Sequence, residues 1–131
     1  MSEYLIYANA EWVTETPEAG WRRRSRAVRS LVEEMKSAGV FVFLGGLDLD
    51  APAFHVRPGD GAPLITDGPY VETKELIGGF TIIDVADAAA ARHWAGRVAM
   101  ACGWPQEVRL FQTPSRTPTP GPDRAEPTDE A

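Results

Sequence analysis

Several absences narrow the reading before any motif is considered. The chain has one cysteine, Cys102, so no internal disulfide forms. Its two histidines, His55 and His93, stand far apart, without the three or four convergent ligands that zinc or iron requires, so no metal is expected; no other cofactor is expected either. Gly45-Gly46 and Gly78-Gly79 neither open a helix nor carry the Lys and Ser/Thr of a phosphate loop. No apolar run approaches the roughly 18 residues that span a bilayer, and Met1-Ser2-Glu3-Tyr4 lacks the basic and apolar regions of a secretory leader. The expectation is a cytoplasmic protein with no membrane partner. Basic charge is also short: 13 Lys and Arg against 19 Asp and Glu give a net charge of −6. No basic stripe follows a strand, and no nucleic-acid partner is expected. The one basic run, Arg22-Arg23-Arg24 with Arg26 and Arg29, falls on a helix and reads as a mostly solvated face.

What is present is one folded unit and a tail. In the 131-residue chain, 44% of residues are hydrophobic and 24% charged, proportions suited to a single globular core. After residue 112 the composition changes: residues 113–131 hold five of the eleven prolines and no large apolar side chain. Such a segment buries too little surface to offset its ordering entropy, so residues 1–112 are read as the domain and 113–131 as a disordered Pro-rich tail.

The elements follow from spacing. Tyr4–Tyr7 is a short apolar strand. Thr16 as N-cap, Pro17 at the first helical position and Glu18 open a helix whose apolar stripe is Trp21, Val28, Leu31, Val32 and Met35, closed by Gly39. Val40–Leu44 is a strand, and 53–57 with 63–66 form a hairpin across Pro58-Gly59-Asp60-Gly61. Phe80–Val85 is another strand, Asp87 caps a second helix ended by Gly103 and Pro105, and Glu107–Phe111 is the last strand. Strand, helix, strand, hairpin, strand, helix, strand is the α+β, ferredoxin-like order. Two helices cover one face of such a sheet, yet three strands are apolar at consecutive positions and call for burial on both faces. A second copy packed sheet against sheet is the economical cover, and a homodimer is expected.

Chemistry concentrates in Thr66–Glu75, where Asp67, Glu72, Lys74 and Glu75 crowd around the Asp67-Gly68-Pro69 turn. Asp67 is either a general base or a carboxylate bracing the turn. Glu72 and Lys74 either rim a pocket for substrate or form a solvated ion-pair set. His55 faces the opposite side of its strand from Phe54 and Val56; it is either a pocket acid or base or a satisfied strand histidine. Arg24 falls on the apolar stripe of the first helix, so its guanidinium either snorkels outward or pairs with Asp67, Glu72 or an anionic substrate group. Tyr7 is a candidate to add a phenol to the same cavity. Cys102 has no base partner in the sequence and reads as a packed thiol.

Asp67-Gly68-Pro69-Tyr70-Val71-Glu72-Thr73-Lys74-Glu75, followed by Gly78-Gly79-Phe80, resembles the DGPF signature of the YCII-related family, with Tyr70 in place of Phe. Ala38-Gly39-Val40, Leu44-Gly45-Gly46-Leu47 and Glu107-Val108-Arg109 extend the likeness over residues 3–111. The resemblance implies a ferredoxin-like protomer of the dimeric α+β-barrel superfamily, which includes muconolactone isomerase-like enzymes and cofactor-free oxygenases. It fixes no reaction. It leaves two readings: a cofactor-independent enzyme with Asp67 and His55 as catalytic residues, or a non-catalytic regulatory or accessory protein, such as one associated with an extracytoplasmic-function sigma factor. A histidine near the start of the first helix serves other branches as half of a His–Asp pair. Trp21-Arg22-Arg23-Arg24 stands there instead.

Overall fold

A computed structural model describes residues 1–9, 18–48, 50–68 and 77–112. In chain order the elements are β1 (Ser2–Asn9), α1 (Glu18–Ala38), β2 (Phe41–Gly46), β3 (Phe54–Arg57), β4 (Leu64–Asp67), β5 (Ile77–Val85), α2 (Ala88–Cys102) and β6 (Glu107–Leu110). Thr16 and Pro17, expected to start α1, lie outside the described residues, as does the 113–131 tail.

The helix ends obey local chemistry. Gly39 takes φ +76°, a conformation that costs glycine little, and its N–H donates to Lys36 O at 3.1 Å while Val40 N–H donates to Met35 O at 3.0 Å. This pair of bonds satisfies carbonyls that the last turn of α1 would leave open. At α2 the Asp87 carboxylate accepts the Ala90 N–H at 2.9 Å, and Gly103, at φ 82°, returns its N–H to Ala99 O at 2.8 Å. Asp87→Ala is expected to cost about 1 kcal/mol in a urea titration; no change in midpoint would mean that the cap is idle.

Four strands form an antiparallel sheet in the order β2-β5-β1-β6, with both helices against one face. The expected ferredoxin-like α+β arrangement is therefore present. The sheet is open, with β2 and β6 at its edges, and no barrel closes among the described residues. Register sets the layers of the helix-facing side: Phe41, Ile83 and Tyr4 form one row, Leu44, Thr81 and Ile6 the next, and Gly46, Gly79 and Ala8 the third. The first two rows feed a core in which Ile6, Ile83, Leu31, Met35 and Val98 are buried. α1 and α2 are also joined outside that core by a two-pronged contact from Arg97 to the Glu34 carboxylate at 2.8 and 2.9 Å.

The other side of the sheet carries Leu5, Tyr7, Phe43, Phe80 and Ile82 by alternation. Phe43 packs on Phe80 with ring centroids 5.5 Å apart and is 48% exposed. Among the described strands, β3 and β4 pair only with each other. Their register places Phe54, Val56 and Ile65 on one face of the hairpin, all exposed.

Candidate functional site

The third row of the helix-facing side has almost no side chains, and the space above it is unfilled. There α1, the end of α2 and the β2–β5 corner of the sheet enclose a cavity of about 310 Å³. Gly46, Gly79 and Ala8 form a nearly bare backbone shelf, while Val28, Leu31 and Val98 wall the helix side. A Cβ added at Gly46 would come no nearer than 4.0 Å to Gly78 O, so the shelf has room above it. Polar groups are few: Thr81, Cys102, Trp104 and Gln106 complete that part of the lining.

Trp104 follows the Gly103 cap of α2 and turns under the first helix. The Arg24 guanidinium lies 4.4 Å from its ring centroid, and Trp21 meets it edge-on at 6.5 Å. A cation over an indole face is favourable, and the same guanidinium sits within 3.3 Å of where a Gly103 Cβ would stand, at the negative end of the α2 dipole. Gln106 donates its side-chain amide to Trp104 O at 3.2 Å, bracing the loop. The Trp104 indole N–H is buried and has no acceptor among the described residues.

Burial pushes the Cys102 thiol above its ordinary value, and the nearby Arg24 charge opposes part of that rise. The folded chain thus favours the neutral thiol. This contributes stability that is whole below the unfolded thiol value of roughly 8.5 and is lost as pH rises through the higher folded one. Alkylation at neutral pH, followed by mass spectrometry, is expected to be slower than in the unfolded chain and slower still in Arg24→Gln. Modification at the unfolded rate would contradict this placement.

The residues singled out from sequence scatter. Arg24 is half-buried beside the cavity. Tyr7, 3% exposed, lies on the other face of the sheet, where its phenol accepts a 3.2 Å bond from Arg109, which also pairs with Glu107 at 2.8 Å. The structure does not bring Tyr7 and Arg24 into one cavity. His55 and Asp67 belong to the hairpin, and register sets them on opposite faces of it. His55 Nδ1 is 2.9 Å from Gly68 O, and Gly68, at φ +95°, donates its N–H to Ala53 O at 2.7 Å. With its proton on Nδ1, His55 thereby anchors the turn. Glu72 and Lys74 lie outside the described residues. No group of three or more His, Cys, Asp and Glu placed to hold a metal occurs among the described residues, and no described helix is long and apolar enough to cross a membrane.

Sequence reasoning passed over Trp104 and Gln106 and took Cys102 for packing alone. The readable signal was the two glycine pairs in strand-like segments, which empty one row of the sheet when those strands align. No curated protein matches the chain. The model of the YCII-related domain matches residues 3–110, nearly the whole described fold, and the chain therefore belongs to the YCII-related family.

Proposed function

We propose that this protein binds a small organic molecule in the helix–sheet cavity, in a regulatory or accessory capacity without acid–base catalysis. The observation that carries this reading is the lining: among the described residues, its one ionisable side chain is Cys102, held neutral by burial. Acid–base chemistry needs a titratable group within reach of the substrate. Asp67 and His55 stand instead on an exposed hairpin, one of them bonded to the turn. A thermal-shift screen is the test. Compounds that raise the melting temperature should leave the protein chemically unchanged, and Asp67→Asn with His55→Ala should still bind them. Turnover of a bound compound that disappears in those variants would overturn the reading in favour of an enzyme.

The same proposal includes a second copy across the open side of the sheet, giving a dimeric α+β barrel. Isolated two-stranded hairpins are marginal in water, yet β3–β4 exposes Phe54, Val56 and Ile65, and Phe43 is half-exposed on the open sheet face. A like surface from another copy would cover both. Light scattering is expected to return twice the 14.3 kDa of one chain. A monomer at micromolar concentration would remove the dimer.

A further inference from the structure

The geometry points to one chemical class of occupant: a small planar molecule with an apolar body and a single carboxylate-like negative group. This rests on the cavity being the ligand site, and it adds shape and charge to that reading.

Shape comes from the shelf. Where neighbouring rows raise Leu44 and Thr81 or Phe41 and Ile83, the third row offers only the peptide planes of Gly46 and Gly79 and one methyl group from Ala8. A flat ring can lie on such a surface, with Val28 and Leu31 of α1 closing over its other face. Those walls offer no charge, so the enclosed body is apolar. At the ~0.74 packing density of protein interiors, about 310 Å³ takes a molecule of up to roughly seventeen non-hydrogen atoms.

Charge comes from the mouth. The cavity adjoins a more open groove, and Trp21, Val28, Leu44, Cys102 and Trp104 line both. Among the described residues the groove adds Arg24, Arg29 and Lys36 against the acid Glu33, itself 3.7 Å from Lys36. On a chain of net charge −6 this is a local reversal of sign, and it draws an anion toward the opening. Arg24 is held in place over Trp104, and a guanidinium suits a carboxylate by its fork of donors. A cationic ligand would be repelled.

The test titrates the full chain with naphthoate, with naphthalenemethanol as the neutral flat analogue, and with decalin carboxylate as the puckered acid. Binding is read by calorimetry and by amide chemical shifts. Naphthoate is expected to bind at least about tenfold more tightly than either control. Raising the salt concentration should weaken naphthoate and leave naphthalenemethanol unchanged. Arg24→Gln should bring naphthoate down to the neutral compound's affinity; the salt series decides the point even if that variant folds poorly. Equal affinity of acid and alcohol overturns the anionic group, and equal affinity of flat and puckered acids overturns planarity; both leave the cavity reading standing. If the amides of Gly46, Gly79 and Thr81 move with none of the three probes nor with any compound of the thermal-shift screen, both this inference and the cavity reading fail.

Discussion

Gly79→Val should abolish ligand binding, by about a hundredfold or more, while leaving the protein as stable as before or slightly more so. Gly79 lies between Gly46 and Ala8 in the emptied row. Its backbone is not among the positive-φ glycines, and a Cβ there would meet Gly45 O at 3.5 Å and Gly46 Cα at 3.8 Å, ordinary contact distances. A valine is therefore tolerated by the strand, where β-branched residues fit well. It also removes the glycine's excess freedom in the unfolded chain, worth roughly 0.4–1 kcal/mol. Its two methyl groups, however, occupy the space a flat ligand needs. Calorimetry against the best compound of a screen, alongside a denaturant titration, reads both effects. Retained affinity would show that ligand does not rest on the shelf; a large drop in stability would show that the row is structural.

The opposite pattern is expected of Ile83→Ala, which should cost about 2–5 kcal/mol of stability. Ile83 has no exposed surface and stands in register with both Tyr4 and Phe41 at the centre of the helix–sheet core. Neighbours on three strands and two helices cannot collapse into the space its side chain vacates, so a cavity term adds to the lost burial. Domains of this size have only about 5–15 kcal/mol in hand, and the variant should lose a large fraction of its resistance to urea at an unchanged fold. A shift below about 1 kcal/mol would mean that the core lies elsewhere. Together the two substitutions separate the part of the sheet that holds the fold from the part that lines the cavity.

Much of the fold was legible because its signals are local. Asp87 ahead of an alanine-rich stretch, and Gly39 and Gly103 at the ends of periodic runs, mark helix ends by chemistry that acts within one turn. The open sheet face was legible too, from strands apolar at consecutive positions. The site was not. A period of two shows that Tyr7 and Ile6 point to opposite faces, but it does not show which face the helices cover, and Tyr7 went to the far side. The cavity depends on Gly46 and Gly79 becoming cross-strand partners, a matter of register between distant segments. Trp104 carries no local sign that it folds beneath Arg24. The charged signature segment drew attention as chemistry-bearing, yet its one described acid, Asp67, is exposed on the hairpin, away from the cavity lining.

Where a ligand lands decides between the cavity and the signature turn. The most direct measurement is a two-dimensional amide spectrum of the isotopically labelled protein, recorded while small planar acids and neutral aromatic compounds are added. The expected result is a set of shifts confined to Gly46, Gly79, Thr81 and the Trp104 indole N–H, absent in Gly79→Val. Shifts centred on His55, Asp67 and the segment that follows, with the cavity residues unmoved, would contradict it and return the site to the signature turn.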